Sequence, residues 1–243
     1  AGLATTLSGT GPFTVFAPAD DAFTAAGITM STISTLSADQ LKSILLYHTL
    51  AATDTSAGVP AGPNAAVATA GGDSVYITKN GSGVFVNGVP VVKADIAASN
   101  GVIHSLGGVL MPPPGNIVEV AQADTTFSYL VAAVLRASQG TTNVAQVLSG
   151  TGPFTVFAPT NDACRAAGFA TISAIHGTDH NILAGILTYH VVAGRGFSSD
   201  LSEGAQPVTL NSGRVKMGVC QVETVQGHET PATEIDLRTK IWP

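Results

Sequence analysis

Charge is scarce in this chain. Of 243 residues, 10 are Lys or Arg and 16 are Asp or Glu, for a net charge of −6. The basic residues form no cluster, and a nucleic-acid-binding surface needs a basic patch. Cysteine is scarcer still. Cys164 and Cys220 are the only two, too few for a disulfide framework, and Cys164 reads as a buried free thiol. No apolar run reaches the roughly 18 residues that a bilayer span requires. Hydrophobic residues as a class are plentiful at 45%. That is enough for real cores and argues against disorder.

The chain contains a long internal repeat. Ser8-Gly9-Thr10-Gly11-Pro12-Phe13-Thr14-Val15-Phe16-Ala17-Pro18 returns unchanged at Ser149 to Pro159, shifted by 141 residues. A period this long marks tandem domains, since solenoid repeats are several-fold shorter. In each copy Gly-Pro predicts a turn, Phe-Thr-Val-Phe-Ala a strand, and the closing Pro its end. A polar residue then opens a helix: Asp20 before Asp21 in the first copy, Thr160 or Asn161 before Asp162 in the second. Carboxylates in a first turn suit the helix dipole.

Further along, Ser37-Ala38-Asp39-Gln40 fits a capping box. Leu41, Ile44, Leu45 and His48 then share one helical face, and Leu183, Ile186, Leu187 and His190 repeat it. Both helices end in Tyr-His, at Tyr47-His48 and Tyr189-His190. Residues 67–105 read as strands, with turns at Asn80-Gly81 and Asn87-Gly88. Asn100-Gly101-Val102-Ile103-His104 follows, leading to Val109-Leu110-Met111-Pro112.

These three segments together resemble the fasciclin-like (FAS1) domain, over about residues 1–217. The resemblance marks Thr14, Phe16, Pro18, Asp20, Asp21, Asn100, Gly101 and His104 as its structural motif in the first copy. In the second it marks Thr155, Phe157, Pro159, Asn161 and Asp162. The third segment departs from the family pattern, which carries an acidic residue near Gly107. In animal members the Tyr-His segment is implicated in integrin-type adhesion, which makes Tyr47, His48, Tyr189 and His190 candidate partner-binding residues. Their spacing also supports a core histidine with both ring nitrogens bonded, and the resemblance suggests Asp20 or Asp21 as a partner for His48.

The expected fold class is α+β: two tandem FAS1-type β-sandwiches or wedges, each with several packed helices at one side. The expected domains are 1–113 and 114–243. The first would lack an N-terminal helix present in the second, where Phe127, Leu130, Val131, Val134 and Leu135 share a face. The second would lack strands, or diverge, after about residue 217. There, six charged residues fall within 26, against 20 in the preceding 217.

Six histidines invite a metal reading, and His176 and His180 stand four apart. Gly177 interrupts them, and no metal or cofactor is expected. No Gly-x-Ser-x-Gly elbow or phosphate loop occurs. Asn80-Gly81-Ser82 is a glycosylation sequon, but a hairpin turn explains it as well. The resemblance implies a non-catalytic adhesion module, secreted, cell-surface or periplasmic, with a protein or glycan partner. A small-ligand-binding module and a hydrolase are the alternatives.

Overall fold

The computed structural model describes residues 2–217 and the backbone of 222–224. The expected divergence after residue 217 therefore falls almost wholly outside the described residues. The chain divides into two compact units, the first ending at Pro112 and the second beginning at Pro113.

Unit 1 is organised by its sheet. A short helix α1 (Ala4–Leu7) precedes strand β1 (Phe13–Pro18), and helices α2 (Asp20–Ala25), α3 (Met30–Thr35) and α4 (Ala38–Tyr47) follow. The strands are β2 (Thr49–Leu50), β3 (Gly62–Ala68), β4 (Ser74–Asn80), β5 (Gly83–Val86), β6 (Val89–Ala98) and β7 (Gly101–Leu106). The seven strands form one sheet in the order β2-β1-β7-β6-β5-β4-β3. β1 lies parallel to β7, from Phe13 opposite Gly101 to Pro18 opposite Leu106. β6 serves two neighbours. Its start pairs with β5 and its remainder with β7. Its register shifts twice, with Asp95 at φ 58°, and such bulges bend a strand. Phe16, Tyr47, Leu50, Val75, Ile77, Val86, Leu106 and Leu110 make the core beneath.

Local chemistry accounts for much of this. Ser37 accepts the Gln40 N–H while the Gln40 side chain accepts the Ser37 N–H, the reciprocal box that starts α4. Asn87 and Gly88 both have positive φ, 49° and 79°, as a two-residue hairpin turn requires. Gly101 is fixed by close approach. A Cβ there would overlap the Phe13 carbonyl, so only glycine lets β7 come this near β1.

Unit 2 is organised by a helix. Helices α5 (Ile117–Ala123), α6 (Ser128–Ala137) and α7 (Val144–Leu148) precede strand β8 (Phe154–Val156). Then come α8 (Asn161–Ala166), α9 (Ile172–Gly177), α10 (His180–Tyr189) and β9 (Val191–Ala193). Two further strands, β10 (Val215–Met217) and β11 (Val222–Thr224), pair as a hairpin. The main core joins Leu130, Ala133, Val134 and Ala137 of α6 to Ile175, Leu183, Ala184, Leu187 and Val191. Asp124 caps a single 3-10 turn at Thr125–Phe127 that leads into α6, which has Phe127 at its N-cap.

Of the two expected helix starts, the one at Asp20 needs correcting and the Thr160 alternative for the second copy holds. α2 begins at Asp20, with Ala19 at the cap and no side-chain cap bond. Asp20 and Asp21 are thus exposed first-turn residues. In unit 2 the cap is Thr160, whose side chain accepts the Ala163 N–H. The shared helical face also differs in detail. Leu45 is 45% exposed and Ile186 40%, while Tyr47 is only 3% exposed.

Candidate functional site

The repeated motifs converge around the strand β1 or β8 and the end of the helix that follows. Thr14 is fully buried. Its hydroxyl donates to the Ala52 carbonyl at 2.7 Å and accepts the Asp54 N–H at 2.8 Å. Thr155 does the same in unit 2, donating to Gly194 and accepting from Gly196, both at 2.8 Å. One hydroxyl thus clamps the loop that leaves β2 or β9. Phe16 and Phe157 are buried. Phe16 stacks on His104 at a centroid distance of 5.8 Å, and Phe157 packs with Val215 and Met217. Pro18 and Pro159 close the strand segments and are half-buried.

The Tyr-His pairs are fasteners in both units. The Tyr47 hydroxyl donates to the Ser74 carbonyl at 3.2 Å and accepts from the Asn87 side-chain amide at 2.8 Å. The Asn87 Oδ1 in turn accepts the Tyr76 N–H, so one amide ties α4 to the β4–β5 hairpin. The Tyr189 hydroxyl reaches the Arg214 carbonyl at 2.6 Å, next to β10. His48 is 4% exposed. Its Nδ1–H donates to the Ile44 carbonyl at 2.8 Å, and its Nε2 accepts the Leu110 N–H at 3.0 Å. These partners assign the neutral Nδ1–H tautomer. They also correct the expectation of Asp20 or Asp21, which lie exposed at the helix start. Burial lowers the His48 pKa, against a smaller opposing effect of the Ile44 bond. Burial lowers the half-buried His190 as well, whose Nδ1–H donates to Ile186 at 2.9 Å.

The third segment is equally structural. The Asn100 amide donates to the Leu7 and Gly9 carbonyls at 2.8 and 2.9 Å, tying the β6–β7 turn to the start of β1. Asn161 has a comparable reach in unit 2. Its Oδ1 accepts from the Ser128 hydroxyl and the Tyr129 N–H, and its Nδ2 donates to the Thr125 carbonyl. It therefore anchors α6, a role that nothing in its local sequence announces. Asp162 is exposed and pairs with Arg165 one turn on, an arrangement worth little in water.

The cluster that most resembles catalytic machinery is Ser56, Asp95 and His104. The Ser56 hydroxyl and N–H both donate to the Asp95 carboxylate, and they are the main reason its pKa is lowered. His104, however, has no nitrogen to spare. Nδ1 accepts the Asp95 N–H at 3.2 Å, and Nε2–H donates to the Asp54 carbonyl at 2.8 Å. A ring so committed cannot take a proton from Ser56. His176 and His180 belong to different helices, α9 and α10. Among the described residues no three His, Cys, Asp or Glu side chains converge as metal ligands. Cys164 is half-buried and free, and burial raises its thiol pKa, which makes it a poorer nucleophile at neutral pH.

Unit 2 also holds a small apolar groove, open to solvent. Leu130, Val134, Leu148, Val156, Leu187 and His190 are among its walls. No helix among the described residues is long and apolar enough to cross a membrane.

Known proteins resemble the chain along most of its length. The model of the Fasciclin domain matches residues 1–112 and again 125–240. The second match thus runs past residue 217. Protein sll1483 of Synechocystis sp. is 42% identical over 115 residues, covering 46% of this chain and 62% of that protein. Transforming growth factor-beta-induced protein ig-h3 of Sus scrofa is 34% identical over 151 residues, 60% of this chain but 22% of that protein. Cell surface glycolipoprotein MPB83 of Mycobacterium bovis is 36% identical over 91 residues, 37% of this chain and 39% of that protein. The chain thus spans less than two thirds of each of these relatives. With the family domain matched twice and both copies built on the same strand, helix and Tyr-His fastener, the chain belongs to the fasciclin domain family.

Proposed function

We propose that the chain is a non-catalytic adhesion module that works outside the cell and binds a protein or glycan partner through the surfaces of its two fasciclin domains. The observation that carries this reading is the tandem match to the family, alongside a relative named as a cell-surface protein. The commitment of His48 and His104 to backbone groups supports a non-catalytic role. In this reading Tyr47, His48, Tyr189 and His190 hold the binding surface from behind and touch no partner themselves.

Solid-phase binding to cells, matrix proteins and glycan arrays tests the proposal, with a thermal melt run on every variant. His48→Ala is expected to lose adhesion and melting temperature together. A variant that keeps its melting temperature and loses only binding would restore Tyr47-His48 as a contact site. Ester or glycoside hydrolysis that disappears in Ser56→Ala would overturn the non-catalytic reading. The groove of unit 2 favours one other reading, a small apolar ligand, which saturable uptake of a fluorescent fatty acid by the full chain would support.

A further inference from the structure

Asparagine stands directly before glycine at three turns of unit 1, Asn80-Gly81, Asn87-Gly88 and Asn100-Gly101. The dipeptide carries a chemistry of its own, because a glycine nitrogen has no neighbouring Cβ to keep it from the preceding side-chain amide. The three copies stand in different surroundings. Asn80 is exposed at the end of β4, opposite Gly83 of β5, and Gly81 and Ser82 at the tip are exposed with it. Its Oδ1 accepts the Ser82 N–H at 2.9 Å, which bends the side chain forward over Gly81. A Cβ at Gly81 would meet nothing within 4 Å, so the site has room. Asn87 is 6% exposed and held at both ends. Its Oδ1 accepts the Tyr76 N–H and its Nδ2 donates to the Tyr47 hydroxyl, both at 2.8 Å. Asn100 is half-buried, with Nδ2 given to the Leu7 and Gly9 carbonyls at 2.8 and 2.9 Å. Either side chain must give up these bonds to turn toward its glycine, and buried polar groups left unpaired are costly.

We propose that Asn80 is a modification site of the folded protein, where the amide converts spontaneously to a carboxylate, and that Asn87 and Asn100 are latent sites of the same chemistry, held inert by the fold and released by unfolding. The glycine nitrogen adds to the side-chain Cγ, forming a C–N bond and giving up its proton. The bond from Cγ to Nδ2 breaks, and Nδ2 leaves with that proton as ammonia. Water then opens the five-membered imide at either carbonyl, to aspartate or isoaspartate. Water is the only co-reactant, and nothing is oxidised or reduced. At Asn80 the Ser82 N–H lies where negative charge gathers on Oδ1 during the addition. At Asn87 the Tyr76 N–H meets the same oxygen, but burial and the Tyr47 bond hold Cγ in place. Reaction there waits for an opening of the structure.

The products differ in consequence. At position 80 the hairpin tip gains a negative charge, and the strands on either side keep their pairing. At position 87 the donor to the Tyr47 hydroxyl is lost and a carboxylate takes a buried place, which is unfavourable without a compensating partner. Isoaspartate also lengthens the backbone of a tight turn. The bond that ties α4 to the β4–β5 hairpin goes with it. At position 100 the two bonds to the start of β1 are lost in the same way. The latent sites thus turn a prolonged unfolding of unit 1 into an irreversible one.

Tandem mass spectrometry tests the proposal on the full chain, incubated in mildly alkaline heavy-oxygen water with and without guanidinium. Without denaturant, Asn80 is expected to convert at least about tenfold faster than Asn87 or Asn100. In denaturant the three rates should converge. Gly81→Ala, whose methyl has room in the fold, should slow conversion at Asn80 and keep the melting temperature. Tyr47→Phe, which releases one end of Asn87, should speed conversion there in the folded chain. Asn87→Asp should lower the melting temperature of unit 1, and Asn80→Asp should not. Refolding of the denaturant-treated parent reads the same effect without a variant. Its yield should fall in step with conversion at Asn87 and Asn100, whatever the state of Asn80. The proposal fails if the three sites convert equally fast in the folded chain, or if Asn80 stays intact there. It also fails if Asn87→Asp melts as the parent does, or if refolding is indifferent to conversion at Asn87.

Discussion

The two units share eleven consecutive residues and use them in different surroundings. Unit 1 closes its core with a seven-stranded sheet, and unit 2 packs the same helix, α10 for α4, against α6. Residues that act locally are unchanged between them: Thr14 and Thr155 clamp a loop, and Tyr47 and Tyr189 fasten a helix to a hairpin. Residues that reach toward the differing surroundings have changed. Asp20 is exposed where its counterpart Asn161 anchors α6. Leu45 is 45% exposed where its counterpart Leu187, covered by α6, is 6% exposed. The difference teaches that the repeat supplies a bracket, and that each unit's core depends on what is hung on it.

The sharpest way to break the comparison is Gly101→Ala. The added methyl overlaps the Phe13 carbonyl, and parting β1 from β7 is expected to cost on the order of 3–4 kcal/mol. A calorimetric scan should lose the first unit's transition and keep the second's. An unshifted scan would mean that the strand pair separates freely.

His48→Ala comes next. It leaves a cavity and strips the Ile44 carbonyl and the Leu110 N–H of their partner, for a loss of about 1–3 kcal/mol. His190→Ala strips the Ile186 carbonyl of its partner and, with one bond against two among the described residues, is expected to cost less. Denaturant titration showing equal losses would mean that the Leu110 bond to His48 adds nothing to stability.

Asn161→Ala removes three bonds to the start of α6 and should cost about 1–2 kcal/mol. Asp20→Ala at the equivalent exposed site should stay within about 0.5 kcal/mol. Equal losses would show that the two positions do the same work after all.

The smallest effect is with pH. His48 and His190 both have lowered folded pKa values. Above the ordinary imidazole value of about 6.5 they are neutral in both the folded and the unfolded chain, and stability is whole. Below it the unfolded chain takes up protons that the folded rings refuse, so stability falls as pH drops through the folded values. The Ala variants should flatten that decline. A melting temperature that holds steady from pH 7 to 5 would contradict the burial of both rings.

Sequence spacing revealed what neighbouring residues decide. The Ser37 box, the turn at Asn87-Gly88 and the strand from Phe13 depend on side chains within a few positions of one another, and they are legible. The direction of Tyr47 is not. Its ring is drawn inward by Ser74 and Asn87, 27 and 40 positions away. His48 likewise takes Leu110, 62 positions on, as its partner, and no periodicity in α4 points there. Asn161 offered one faint signal, an amide where the first copy has a carboxylate. An amide can donate and accept at once, as the bonds to Thr125, Ser128 and Tyr129 demand. The candidate site was thus found by motif, and its role was set by contacts that only the fold brings together.

The parallel pairing of β1 with β7 has a consequence for how unit 1 is made. β1 is near the start of the chain, yet its two neighbours are β2, ending at Leu50, and β7, ending at Leu106. A nascent chain emerging from the ribosome can settle β1 against β2 early, but the other edge must wait for β7. At about 5–20 residues per second that wait lasts several seconds, with a strand edge unpaired and ready to join another chain. Such distant pairing is also intrinsically slow to close. How long that edge of unit 1 stays open during synthesis is therefore set by the distance along the chain between two strands that end up side by side.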